Sequence, residues 1–125
     1  MIVGIGTDIV AIKRMQALWQ RHGERGIERI LAPGEREACR QSAEPARFLA
    51  KRFAAKEALG KAVGSGIRAP LVLSAIEIIH DVAGKPEFRL NADADALFRG
   101  KGWVAHLSIS DEQDYAISFV VLEQP

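Results

Sequence analysis

Two side chains of opposite charge lie one helical turn apart in the stretch RFAAKEALGKAVGSG, residues 52–66. The pattern predicts a helix that begins near Pro45 and ends after Val63, and this helix is apolar on nearly every side. A carboxylate, Glu57, and an ammonium group, Lys61, need partners if such a helix is buried. One interpretation is a helix-stabilising pair worth about 0.2–0.5 kcal/mol. The other is a binding site.

A third charged group, Asp8, stands near the end of a strand predicted over Ile2 to Val10. Gly4 and Gly6 lie on the same face of this strand, which indicates close approach by another backbone or by a ligand. Two roles are open to Asp8. It could cap the helix that follows, which is the commoner role, or it could be a metal ligand. The two roles do not exclude each other.

Asp8 and Glu57 together would supply the hard oxygen ligands that suit Mg²⁺, which completes its shell with water and substrate phosphates. Lys61 could neutralise one phosphate, and Arg47 and Arg52 could hold another. The carboxylate pair alone is a weak signal. The chain contains neither a Walker A motif nor the protein-kinase motifs.

A polar strand face is predicted near the carboxyl end. In the strand Trp103 to Ser110, His106 shares its face with Ser108 and Ser110. Such a row can line a polar cleft, where His106 could orient or neutralise charge beside the carboxylates. The alternative is an ordinary half-exposed strand.

The first predicted helix, Ala11 to His22, carries a basic stripe beside its apolar face. Arg14 and Arg21 form this stripe, and Arg25 extends it only if the helix continues through the glycine after His22. The stripe is either a solvated edge or a docking surface for an acidic, helical partner. In a docking surface the arginines would flank exposed apolar residues such as Leu18.

The remaining pattern mixes short helices with strands. A Gly-Lys-Pro turn predicts a hairpin, and the last strand is almost wholly apolar, which favours a central place in a sheet. The predicted ranges are Glu35–Gln41 and Ala92–Arg99 for helices, with Asn91 as an N-cap, and Ser74–His80, Glu87–Leu90 and Tyr115–Leu122 for strands.

Composition limits the function classes. The 125 residues are enough for one domain, residues 1–125. The net charge of +1 is too small to indicate overall electrostatic binding to nucleic acid or to an anionic membrane. Cys39 is the only cysteine, so no internal disulfide can form, which fits a reducing compartment. The first residues lack the basic segment of a signal peptide, and no apolar run approaches a membrane span.

Four stretches of the sequence resemble one family. They are GIGTDIV at the start, RFAAKEALGKAVGSG in the middle, the GKP turn, and HLSISDE followed by Tyr115-Ala116 near the end. In this order they resemble the holo-acyl-carrier-protein synthases, small single-domain members of the 4'-phosphopantetheinyl transferase superfamily. The match runs from Ile2 to Val121.

The resemblance implies an α+β fold, with a small antiparallel sheet packed against helices that include one long central helix. It implies transfer of 4'-phosphopantetheine from coenzyme A to a serine of apo acyl carrier protein, with Mg²⁺ as cofactor and release of 3',5'-ADP. It also implies a cytoplasmic homotrimer with sites between subunits, which the all-round apolar central helix would suit.

The family's residue roles fall on particular positions of this chain. Asp8 and Glu57 are the expected metal ligands, and Lys61 the residue that contacts the diphosphate of coenzyme A. The first helix is the expected docking surface, with Arg14, Leu18, Arg21 and Arg25. The expected coenzyme A site further includes Arg47, Arg52, Gly64, Pro86, His106 and Ser108.

Two other classes remain open at this point. One is a non-catalytic trimeric module that binds coenzyme A or another nucleotide without turnover. The other is a nucleic-acid-binding domain that uses the basic stripe of the first helix. The low net charge and the lack of aromatic residues among the basic ones speak against the second.

Overall fold

One long helix, α4 (Pro45–Val63), lies at the centre of the molecule in the computed structural model, which describes residues 1–125. Pro45 occupies the first turn, where its missing N–H costs no hydrogen bond, and Gly64 ends the helix at φ 90°. Both ends therefore lie where the sequence predicts them. No helix of the structure is both long enough and apolar enough to cross a membrane.

Three antiparallel strands form the main sheet. They are β1 (Ile2–Ala11), β4 (Val104–Asp111) and β5 (Tyr115–Glu123), in the order β1-β5-β4. A separate hairpin consists of β2 (Ile76–His80) and β3 (Pro86–Leu90). The predictions of an α+β fold, antiparallel strands and a central final strand are confirmed.

Four shorter helices complete the fold: α1 (Ile12–His22), α2 (Glu24–Ile30), α3 (Arg36–Gln41) and α5 (Ala92–Lys101). The side chain of Asn91 accepts a hydrogen bond from the Ala94 N–H, so the predicted cap of α5 is confirmed. Sequence reasoning missed α2 altogether. The strand predicted from Ser74 begins only at Ile76, because Leu73–Ala75 form a short 3-10 helix.

Helix α4 separates two apolar clusters. Ala55, Leu59 and Ala62 pack on one side with residues of the strands and α5. Leu49 and Ala54 pack on the other side with residues of α1 and α2. The helix is apolar all round because elements of the same chain cover it. The apolar pattern of α4 is therefore explained within one chain, and the expected trimer stays a prediction.

The two glycines of β1 let its backbone lie directly on α4. A Cβ atom at Gly4 would collide with the carbonyl oxygen of Ala62, and one at Gly6 with that of Ala58. The close approach predicted for this strand face is thus an approach of backbone to backbone. It holds the inner face of β1 against the second half of α4.

The outer face of the main sheet carries a band of exposed apolar side chains. Its rows run across the strands, with Ile5 opposite Val121, and Ile9 opposite Ile117. Ile5, Ile9, Ile117 and Phe119 each keep at least 44% of their surface exposed. A contiguous apolar patch on a folded chain marks an interaction surface.

The packing of β1 on α4 predicts a difference between two glycine substitutions. Gly6→Ala should lower the free energy of unfolding by about 1–3 kcal/mol, because the added methyl group meets helix backbone that cannot move aside. Gly100→Ala is the matched control, since Gly100 lies within α5 with open space around it. That substitution should stabilise by about 0.5–1 kcal/mol. Urea unfolding at one fixed protein concentration measures both, and equal effects would contradict the packing.

Candidate active site

Asp8 and Lys61 meet where β1 passes the last turns of α4. The Lys61 ammonium lies 3.1 Å from the Asp8 carboxylate and donates a hydrogen bond to the Thr7 carbonyl at 2.9 Å. The N-cap of α1 is Ala11, without a side-chain hydrogen bond. Asp8 is therefore not a helix cap, and its carboxylate is available to the site.

Glu57 lies one turn before Lys61 and forms no ion pair with it, so the simple helix pair is not what the structure shows. Burial raises the pKa of the Glu57 carboxyl, and the nearby charge of Asp8 raises it further. Lys61 and Arg14 act in the opposite direction. The two carboxylates are therefore close enough to repel each other, with one ammonium group paired to Asp8 alone.

Arg14 joins this cluster from α1. Its guanidinium lies 5.2 Å from the ring centroid of Phe53, and its charge stabilises the ionised form of Glu57. The sequence assigned Arg14 only to a docking surface. Its helical spacing with Arg21 carried no signal of the contact with Phe53, because that contact joins two different helices.

A groove of about 350 Å³ opens beside the cluster. Ile5, Gly6, Thr7, Lys61 and Phe119 line it. Because β1 is an edge strand, the groove leads from the Lys61 ammonium to the apolar outer face of the sheet. A charged molecule with an apolar part fits this combination of surfaces.

Arg52 and Arg47 lie away from the carboxylates. Nine residues separate Arg52 from Lys61, and at roughly 100° per residue the two side chains leave α4 on opposite sides. Arg47, Lys51 and Arg52 line another groove, of about 190 Å³, near the start of α4. Within one chain these two arginines therefore do not reach the carboxylates, and their expected phosphate-binding roles stay a prediction.

Arg47 is held by the turn between β4 and β5. Its guanidinium lies 2.9 Å from the Asp111 carboxylate and donates to the carbonyls of Glu112 and Gln113. These contacts give Arg47 a structural role in addition to the phosphate-binding role expected from the resemblance.

His106 and Ser108 lie on the outer face of the main sheet, whereas Asp8 points inward to α4. His106 is exposed and lies 2.9 Å from the Glu123 carboxylate through Nε2. Strand β5 and the thickness of the sheet separate it from the carboxylate cluster. The prediction that His106 shares a cleft with Asp8 is therefore wrong within one chain.

The other predicted site residues are more scattered. Gly64 is exposed at the end of α4, three residues beyond Lys61. Pro86 opens β3 opposite His80. No group of three or more His, Cys, Asp or Glu side chains could hold a metal ion. The carboxylate pair of Asp8 and Glu57 remains the candidate.

The predicted docking surface is only partly as expected. Arg21 is exposed in the last turn of α1. Leu18 is half-buried, because its side chain packs over Gly26 of α2, so its predicted exposure is wrong. Helix α1 ends at Gly23, and Arg25 belongs to α2, so Arg25 does not extend the stripe.

Comparison with known proteins supports the resemblance. The family model that matches residues 4–120 describes the 4'-phosphopantetheinyl transferase superfamily. The chain is 54% identical to the holo-[acyl-carrier-protein] synthase of Azoarcus sp. (strain BH72), over 98% of both chains.

Two solved structures are also similar. The holo-[acyl-carrier-protein] synthase from Neisseria meningitidis superposes with a TM-score of 0.95 at 46% identity, covering 98% of this chain and 99% of that one. The protein of the same name from Bacillus anthracis str. Ames, in complex with CoA (3',5'-ADP), superposes with a TM-score of 0.83. It is 36% identical and covers 100% of this chain and 99% of its own.

Proposed function

Because this chain belongs to the 4'-phosphopantetheinyl transferase superfamily and is an enzyme of that class, we propose that it is a cytoplasmic holo-[acyl-carrier-protein] synthase. Its substrates are coenzyme A and an apo acyl carrier protein. The hydroxyl of a carrier serine passes its proton to a water molecule and attacks the β-phosphorus of coenzyme A, the bond to the bridging oxygen breaks, and 3',5'-ADP leaves with that oxygen. The observation that carries the proposal is the contact of Asp8 with Lys61 beside an open groove, with Glu57 near enough for the charge of Asp8 to raise its pKa.

The carboxylate pair fits Mg²⁺. Asp8 and Glu57 supply hard oxygen ligands on two rigid elements. Their negative charges repel each other, and a divalent cation bound between them would offset that repulsion. When bound, Mg²⁺ supplies positive charge to the diphosphate oxygens of coenzyme A.

Lys61 supplies charge from the protein itself. Its ammonium is exposed in the groove and is fixed by Asp8 and the Thr7 carbonyl, so it can meet a phosphate without first being ordered. Phosphoryl transfer depends mainly on positioning and on stabilised charge, and Lys61 offers both.

The remaining phosphate-binding residues are proposed to come from a second copy of the chain in a homotrimer. The apolar outer face of the main sheet is the proposed contact, and it also carries His106 and Ser108. Burying that face against another copy would remove Ile5, Ile9 and Phe119 from water. It would also let His106, Arg47 and Arg52 of one copy approach the Asp8 cluster of the next, with Gly64 and Pro86 at the margins.

Intact-mass analysis of a carrier protein tests the proposal. Apo carrier incubated with coenzyme A, Mg²⁺ and this protein should gain the mass of one phosphopantetheine. Asp8→Asn and Glu57→Gln should each lower the rate by roughly 100-fold or more, because each removes a charge used in the transition state.

One control variant and two further outcomes complete the experiment. Asp93→Asn, in the first turn of α5, also removes an exposed carboxylate and should leave the rate unchanged. Coenzyme A binding without any gain in carrier mass would instead indicate the non-catalytic module. Normal rates in the presence of EDTA would exclude the metal.

Shared sites predict that two inactive variants rescue each other. Asp8→Asn and His106→Ala proteins, mixed after partial unfolding and refolding together, should regain a measurable part of the activity. The reason is that some mixed trimers contain one site with both residues intact. Light scattering that shows a monomer at micromolar concentration, or no rescue in verified mixed oligomers, would contradict the shared site.

The basic stripe of α1 predicts an effect on the carrier substrate alone. Arg21→Ala should raise the KM for carrier protein by roughly 1.4- to fivefold, since an exposed charge contributes about 0.2–1 kcal/mol. This effect should shrink as salt rises. Arg21→Glu should raise it more, because like charges repel across the contact. Arg99→Ala on α5 is the control.

The KM for coenzyme A should stay constant in these variants. Arg21 is a cleaner probe than Arg14, because Arg14 also influences Glu57. A changed KM for coenzyme A in Arg21→Ala would place the stripe in the nucleotide site and remove the docking assignment.

A further inference from the structure

A buried carboxylate, Glu35, lies at the meeting point of α3, α4 and β2. Its side chain is 1% exposed, and both of its oxygens have two partners. Oε1 accepts hydrogen bonds from the Ala32 N–H at 2.9 Å and from the Lys56 ammonium at 2.6 Å. Oε2 accepts from the Ile78 N–H at 3.0 Å and lies 3.0 Å from Nε of Arg52. Two backbone N–H groups therefore fix the orientation of the carboxylate.

Lys56 completes the network through Oε1, so that Oε2 is shared by the Ile78 N–H and Arg52. Its side chain is fully buried, and its ammonium donates to the carbonyls of Ile30 and Leu73 as well as to Glu35. All three N–H groups are thus used. Lys56 thereby anchors the helix to the segments before α3 and before β2.

Arg52 is held from two sides. Its Nε faces Glu35 at 3.0 Å, but the N–H does not point at the oxygen, so this contact is electrostatic rather than a hydrogen bond. The face of its guanidinium lies 4.3 Å from the ring centroid of Phe48, a cation–π distance. Its side chain is only 12% exposed.

The exposed part of Arg52 borders the groove that Arg47, Lys51 and Ser42 also line. The groove has three cationic side chains and one acidic residue, Glu44. A guanidinium that has already lost its rotational freedom binds an anion at a smaller entropic cost than a free one. The contacts with Glu35 and Phe48 therefore hold the Arg52 guanidinium in place before the phosphate of the substrate arrives.

We infer that Glu35 and Phe48 are positioning residues that hold the Arg52 guanidinium ready for a phosphate group of coenzyme A. This inference rests on the proposed function, since it takes coenzyme A as the ligand. Glu35 is buried beneath the groove, whereas Phe48 is one of the residues that line it. Glu35 acts through charge on Nε, and Phe48 acts through the ring beneath the guanidinium plane.

Calorimetric titration of the full-length protein with coenzyme A tests the inference without requiring turnover. Glu35→Gln should weaken the binding of coenzyme A roughly tenfold, which corresponds to about 1.4 kcal/mol. The KM for carrier protein should not change. Asp95→Asn is the control, because it removes the carboxylate of an exposed pair with Arg99 on α5 and should leave coenzyme A binding unchanged.

A double variant separates positioning from general destabilisation. If Glu35 acts through Arg52, then Glu35→Gln in an Arg52→Ala background should weaken binding no further than Arg52→Ala alone. Additive losses in the double variant would overturn the inference, and so would unchanged binding in Glu35→Gln.

Phe48→Leu keeps the inference testable if Glu35→Gln does not fold. The substitution removes the ring beneath Arg52 but keeps an apolar side chain, and it should weaken coenzyme A binding with the same lack of additivity. Unchanged binding in this variant would overturn the inference. A wild-type protein that does not bind coenzyme A would overturn the proposed function as well. Binding that depends on Arg52 but not on Glu35 or Phe48 would overturn the positioning role alone.

Discussion

The close contact between β1 and α4 is the constraint on which the site depends. Gly4 and Gly6 carry no side chain, so the strand backbone reaches the carbonyls of Ala62 and Ala58. At this separation Asp8 comes within 3.1 Å of Lys61 and close enough to Glu57 to raise its pKa. One methyl group on either glycine would push the carboxylates apart.

The same chain fixes two groups of polar residues that do not meet within it. The Asp8 cluster faces one groove, and Arg52 with its buried partners faces another on the far side of α4. The outer face of the main sheet is apolar and also carries His106. Adjacent copies of the chain would bring such separate groups to one long molecule with several phosphates. This is the physical reason for proposing the shared site.

The sequence predicts the parts of this account that depend on local pattern. Spacing, caps and glycine positions predict the bounds of α4 and the strand that contains Gly4 and Gly6. They also predict the Asn91 cap and the central place of the last strand. Helix α2 was missed because ERGIERI is short and has a glycine in its middle, which lowers helix propensity. Tertiary packing on α1 and α3 stabilises it instead.

Contacts between residues far apart along the chain could not be predicted from the sequence pattern. Nothing in the pattern separates the buried Lys56 from the exposed Lys61, since both stand in the same helix among small residues. Their difference comes from Glu35 and from Asp8, which are 21 and 53 residues away along the chain. Leu18 was taken as exposed for the same reason, because its cover, Gly26, belongs to the helix that was missed.

We propose that Asp8 and Glu57 together hold one divalent cation beside the diphosphate of coenzyme A. Crystals grown with coenzyme A and Mn²⁺, an oxygen-preferring substitute for Mg²⁺ with a usable anomalous signal, test it most directly. We expect one anomalous peak per site, within about 2.3 Å of an oxygen of each carboxylate, because a hard cation takes oxygen ligands at such distances. A site that contains coenzyme A but shows no peak there, or a peak bound to other residues, would contradict it.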